Sequence, residues 1–211
     1  MNWNEAIIKF VTLIISLTVH EAAHAWVALL GGDRTAMRSG QVTLNPIPHI
    51  QREPFGMVFL PALVLYLSNA QWTMGYASTP IDPIWAWHHP RKAAVMAAAG
   101  PVSNLLLAGI AFAVLVWLGR PMSDNGDAIE MIALSFLQLN IVLFLFNLVP
   151  LPPLDGASIL EGLITPLRRP YDALRRSPQM AIVSMLITWK VVDLMIVPVF
   201  TLVGGWLRHF R

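Results

Sequence analysis

The sequence predicts an all-α polytopic membrane protein with about four transmembrane helices and one further re-entrant or buried segment near residues 55–67. Composition is the first reason. Of 211 residues, 56% are hydrophobic and only 12% charged, whereas a soluble domain carries about 25% charged residues. Mean hydropathy is +0.60. The second reason is four apolar runs, at 6–30, 93–118, 131–151 and 180–207, each long enough for the roughly 20 helical residues that cross a hydrocarbon core. The third is a shorter run at 55–67, interrupted by Pro61, a length more often buried or re-entrant than spanning. Together these exclude a disordered chain, a solvated coiled coil and most soluble enzymes. The 14 basic residues and net charge of +2 are dispersed among apolar runs, so no nucleic-acid partner is expected. The absence of cysteine removes disulfides, thiolate metal sites and a cysteine nucleophile.

Taken in order, the first run is too long for a cleavable signal peptide and has no small-residue cleavage site. Turn residues then separate the runs: Gly31-Gly32-Asp33, Asn45-Pro46-Ile47-Pro48, Thr79-Pro80-Ile81-Asp82-Pro83 and Asp124-Asn125-Gly126. Neither repeat nor linker divides the chain, which reads as a single membrane domain over 1–211 with nothing appended. The lipid bilayer is its expected surrounding.

Ionisable groups inside a membrane helix are costly and usually functional. The first run contains three, in Val19-His20-Glu21-Ala22-Ala23-His24. Residues four apart share a helical face one turn apart, so His20 and His24 can reach one metal ion. Glu21 lies beside the first of them, placed to take a proton from an activated water rather than to ligate. This H-E-x-x-H pattern is the helix signature of zinc hydrolases. A histidine pair satisfied within a helix bundle, or an accidental match on a surface helix, is the plainer account, weakened here because uncompensated polar groups in an apolar helix would each cost several kcal/mol. Catalytic zinc takes three protein ligands. Asp155 is the best third candidate, because Pro150, Pro152 and Pro153 must stop the preceding helix just before it. Broken helices line sites within membranes, and Gly156 permits close backbone approach. A loop aspartate at the membrane surface is an equally simple account of Asp155 by itself.

The combination of His20-Glu21-x-x-His24 with Asn147-x-x-Pro150 leading into Leu154-Asp155-Gly156 resembles the site-2 protease family of intramembrane zinc metalloproteases. Ala99-Gly100-Pro101-x-x-Asn104 and the stretch from Gly32-Asp33 through Leu44-Asn45-Pro46 to His49-Ile50 resemble segments of its compact prokaryotic branch. Where that branch continues with an aspartate, this chain has Gln51-Arg52-Glu53. The resemblance implies that His20, His24 and Asp155 bind Zn2+, that Glu21 is the catalytic base, and that Asn147 contacts substrate near the scissile bond. It implies regulated intramembrane proteolysis of a transmembrane protein substrate, cleaved near the cytoplasmic end of its helix, in a prokaryotic plasma membrane. A catalytically inactive zinc-binding membrane scaffold or a metal transporter is the competing expectation, and Glu21 separates them, since a binding site needs no base.

Other polar residues carry weaker expectations. Asn104 either supports a metal ligand or joins helices. His49 reads as a surface histidine, His88 and His89 as part of an interfacial aromatic belt, and Lys190 with Asp193 as an ion pair within the last run. His24 lies roughly 9 Å from the end of its run and roughly 27 Å from its start, so the metal belongs near the face reached after Leu30. Asp155 must emerge on that same face, which allows only an odd number of crossings in between. Run 93–118 supplies one, so 55–67 cannot be a second. The metal-proximal face then holds Arg34, Arg38, Arg52, Arg91, Lys92, Arg168, Arg169, Arg175 and Arg176. Only Lys9, Arg120, Arg208 and Arg211 fall on the other, an asymmetry that makes the metal-proximal face cytoplasmic and puts both termini outside.

Overall fold

The computed structural model describes residues 2–119 and 128–210, which are mostly helical and, among the described residues, contain no strand. The predicted turn at Asp124-Asn125-Gly126, Arg120 and Arg211 lie outside them. Among the described residues, four helices are long and apolar enough to cross a membrane: α1 (Trp3–Gly31), α6 (Pro90–Leu118), α7 (Ala128–Leu148) and, after its first turn, α10 (Pro178–Phe210). Asn2 caps α1, its side chain accepting from Glu5 N. At the other end Gly32 takes φ 105° and Asp33 N donates to Ala28 O. That left-handed stop costs a glycine little and any other residue more. The helix α7 ends at Leu148, two residues before the first of the three prolines, as their missing amides require.

The helices α1, α6 and α7 pack on one another. Small residues of α1 (Ala22, Ala25 and Ala28, all at most 1% exposed) permit the close approach. A second apolar cluster joins α6, α7 and α10 through Leu115, Leu137, Ile141, Val192 and Leu207. Outward faces are apolar as well, with Leu106 and Ile110 on α6 and Leu194 and Val197 on α10 exposed. In water this surface would drive aggregation, and in lipid it is the ordinary contact.

Between α1 and α6 the chain forms a hairpin. From α2 (Thr35–Arg38) and α3 (Pro46–Arg52) it enters a π-helical turn, Phe55–Phe59, that continues as α4 (Leu60–Leu67). Lys9 Nζ, near the start of α1, donates to Ala70 O and Gln71 O at the tip. The extended return limb then climbs back along α1. Tyr76 N donates to Gly56 O, Thr79 Oγ1 to Glu21 O, and Asp82 N to Asp33 Oδ2. The segment therefore leaves and returns at the same end of α1, the arrangement that the crossing parity demands. Gly56 is needed where the limbs meet, since a Cβ there would strike the Tyr76 carbonyl and ring. Burial opposes ionisation of Asp33, but hydrogen bonds from Thr35 and the Asp82 amide hold its carboxyl below the usual range. The short α5 (Pro83–His88) follows, with Trp85 packed beneath Gly31.

Two expectations are corrected. His49 is buried rather than superficial, only 2% exposed, with Nε2 against Thr43 O, because α3 folds inward against α1. No ion pair joins Lys190 to Asp193 among the described residues; α10 is the least buried span, so nothing presses these exposed side chains together.

Single cysteines replacing Ser39, Ile81 and Ala173 in this cysteine-free chain should react with an impermeant thiol reagent from one and the same side of the membrane. Labelling of position 81 from the opposite side would mean that 55–67 crosses.

Candidate metal centre

His20 and His24 project from α1 towards α6, where Met96, Gly100 and Asn104 follow one another at four-residue spacing and so share a face. His24 Nδ1 lies 2.8 Å from Met96 O. His20 Nδ1 lies 2.6 Å from Asn104 Oδ1. Both partners are acceptors, so both histidines carry hydrogen on Nδ1 and turn a bare Nε2 lone pair the other way. Gly100 lies between the two contacts, and a Cβ built on it would collide with Nε2 of both rings. The A-G-P-x-x-N resemblance thus acquires a physical reading: glycine admits the imidazoles and asparagine, one turn on, aligns one of them.

Asp155 arrives from the opposite side as the first residue of α8 (Asp155–Leu163). A six-residue turn, 149–154, reverses the chain after α7, and Tyr171 Oη of α9 (Arg168–Arg175) donates to Pro150 O within it. Gly156 abuts the Leu148 and Val149 carbonyls too closely for any Cβ, so α8 folds back tightly onto the end of α7. Asp155 Oδ2 thereby comes 3.1 Å from His20 Nε2 and 3.4 Å from His24 Nε2, while the two nitrogens are 3.0 Å apart.

These three atoms are all acceptors in the tautomers that Met96 and Asn104 impose, and Asp155 Oδ2 is buried with no hydrogen-bond partner. Three lone pairs at this separation with no proton between them repel unless a cation lies among them. Ligands bound tetrahedrally at about 2.0–2.2 Å stand about 3.3–3.6 Å apart. The 3.4 Å separation falls in that range, and the 3.0 and 3.1 Å separations would open by a few tenths of an ångström around an ion. The donor set, two imidazoles and one carboxylate within 4.8 Å of one another, is that of a catalytic zinc site with a position left over for substrate or water.

Glu21 is 5% exposed and is not one of the three converging donors. Its Oε2 accepts from Thr79 Oγ1 at 2.7 Å. Thr79 is steadied by its neighbour Ser78, which donates to Glu53 and accepts at its carbonyl from Arg52 Nε. Glu53, in the stretch where this chain departs from the resembling branch, therefore has a structural task in the hairpin. His20, Glu21 and Asp155 open onto a cavity of about 740 Å³ between α1, the return limb, α7 and α10. Its walls are chiefly apolar, with Leu17, Val142 and Phe146 among them. Asn147 also lines the cavity, its amide Nδ2 donating to Leu143 O of its own helix. The residues singled out from the sequence thus lie at one site, with Asn104 behind His20. Sequence reasoning missed Thr79, Ser16 and Asn140. Only Asn140 left a trace, as an amide in the middle of an apolar run, seven residues and two turns before Asn147.

A triad able to hold a metal ion, with an adjacent carboxylate at the edge of an apolar cavity inside a bundle of membrane-length helices, is the arrangement of a membrane-embedded metallopeptidase. A family model described as Peptidase family M50 matches residues 8–121 and 120–189, and the chain belongs to that family, as its resemblance to site-2 proteases implies. It is 42% identical over 161 residues to the candidate zinc metalloprotease YwhC of Bacillus subtilis (strain 168), covering 74% of this chain and 68% of that one. The candidate zinc metalloprotease Rip2 of Mycolicibacterium smegmatis is 29% identical over 177 residues, covering 83% and 64%. Rip2 of Mycobacterium tuberculosis (strain H37Rv) is 29% identical over 175 residues, covering 82% and 63%. The chain thus spans about two thirds of the length of these relatives. No solved structure matches it.

Proposed function

We propose that the protein is a zinc-dependent intramembrane endopeptidase that cuts a transmembrane helix of a membrane protein substrate near its cytoplasmic end. The observation that carries this reading is the convergence of His20, His24 and Asp155 on one point beside Glu21, within an apolar cavity at membrane depth. In it His20, His24 and Asp155 hold the zinc, Glu21 is the base and Asn147 binds substrate. Zinc, when bound there, supplies Lewis acidity that polarises the scissile carbonyl and acidifies water. Glu21 accepts the proton of the attacking water as its oxygen bonds to the carbonyl carbon. The same carboxyl returns that proton to the leaving nitrogen as the C–N bond breaks. Thr79 occupies Oε2 of Glu21 and so leaves Oε1 for the transfer. Asn147, on the cavity wall, is placed to hydrogen-bond an unwound substrate backbone. Unwinding is required because a helical peptide bond is shielded by its own hydrogen bonds, and the apolar walls favour an apolar chain in extended form. The excess of arginine and lysine on the metal-proximal face makes that face cytoplasmic in a prokaryotic plasma membrane.

A direct test is co-expression with single-span membrane proteins, scoring fragments that depend on the site. The wild-type protein should carry about one zinc per chain, as a three-ligand site holds one ion. A His20→Ala/His24→Ala double variant should lose both metal and fragments. Undiminished zinc in the double variant would overturn the metal assignment, and fragments unchanged by it would overturn the protease reading.

A further inference from the structure

His24 and His20 are held in the same tautomer by different means. Against His24 stands a backbone carbonyl, Met96 O, which can only accept. Against His20 stands a side-chain amide, and an amide can present either its oxygen or its NH2 group. With Asn104 Oδ1 towards it, His20 keeps its hydrogen on Nδ1 and bares Nε2. With the NH2 group there, the hydrogen would move to Nε2 and point among the metal donors. We propose that Asn140 makes this choice, as a positioning residue that acts on His20 through Asn104 and so sets the affinity of the site for its metal. The inference rests on the metal-binding reading given above.

The direction of the chain can be read from its far end. Asn140 Nδ2 lies 2.9 Å from Phe136 O. A backbone carbonyl never donates, so the NH2 group of Asn140 must face it. The same group donates to Ser16 Oγ at 2.9 Å. Asn140 Oδ1 is thereby turned towards Asn104, whose Nδ2 donates to it at 2.8 Å. Asn104 Oδ1 is left for His20 Nδ1, at 2.6 Å. Reversing Asn104 alone would set NH2 against an imidazole N–H on one side and oxygen against oxygen on the other. Asn104, Asn140 and Ser16 are all 0% exposed, so no water can repair such a mismatch. The three spans of the bundle meet along this line, which makes the tautomer of a residue on α1 depend on a carbonyl of α7.

The test measures zinc affinity by competition with a chelator, alongside thermal unfolding of the metal-free protein. Asn140→Leu should weaken zinc binding by about 10-fold or more, the range found for groups that orient a ligand. In an Asn104→Asp background the same substitution should cost nothing further, because a carboxylate presents oxygen to His20 whichever way it is turned. Asn140→Ser serves if the leucine variant does not fold: its hydroxyl can still bond Phe136 O but is too short to reach Asn104, and it should show the same loss and the same cancellation. Equal losses in both backgrounds would make Asn140 a packing residue and overturn the proposal, as would unchanged affinity in the single variants. If the wild-type protein itself binds no zinc, it is the metal reading that fails instead.

Discussion

Glu21→Gln is expected to reduce cleavage of a membrane-helix substrate by about 10²–10⁴-fold, the usual contribution of a general base, while leaving about one zinc per chain bound in the three-ligand site. Glu21 is adjacent to His20 in sequence but is not among the three converging donors, so its replacement removes no ligand. The amide retains the size of the carboxyl and can still accept from Thr79 Oγ1, which protects the local fold. It cannot take up and return a proton. Asp155→Asn should behave differently, lowering metal content and cleavage together, because it alters a donor. Purified Glu21→Gln protein that cleaves a verified substrate at the wild-type rate would sink the hydrolytic mechanism. Loss of zinc in the same variant would mean that Glu21 is itself a ligand.

Gly100→Ala should abolish metal binding although position 100 offers no ligand. The added methyl would press on Nε2 of both His20 and His24. The helix α6 cannot retreat to make room without drawing Met96 O and Asn104 Oδ1 away from the two Nδ1 atoms. Rotation of the rings would break the same bonds. Loss of a single orienting partner costs about 10–100-fold in metal affinity, and this substitution strains both together, so it should exceed that range. Gly109→Ala is the control on the same helix: nothing lies within 4 Å of its added Cβ. It should bind zinc normally and gain up to about 1 kcal/mol from alanine's better helix propensity. Zinc content near wild type in Gly100→Ala would show that α6 does not confine the imidazoles as closely as the geometry requires.

Much of the candidate site was legible from residue spacing. The four-residue interval between His20 and His24 places both on one helical face whatever the rest of the chain does, because helix geometry is local. The membrane spans were legible for a similar reason, since their length and apolarity are properties of contiguous residues. Even the hairpin at 55–67 followed from parity once His24 and Asp155 were required to meet on one side. Asp155 was a weaker inference, 131 residues beyond His24, and its place depends on how a turn folds under α7. Thr79 carried no signal at all, for a threonine in a proline-rich connection is ordinary until the return limb is seen to pass Glu21.

The sequence by itself determined that this is a membrane protein with a two-histidine metal motif and a neighbouring carboxylate, because those features arise within single helices and from composition. Only the tertiary structure decided what surrounds them. It brought Asp155 Oδ2 to the imidazoles, set Gly100 where a side chain would fill the site, carried Thr79 to Glu21, and joined Ser16, Asn140 and Asn104 into one line of hydrogen bonds. The physical reason is that hydrogen bonds and ligand distances are short-ranged and directional. Residues far apart in the chain acquire such relations only when the packing of separate helices fixes their backbones to within a fraction of an ångström.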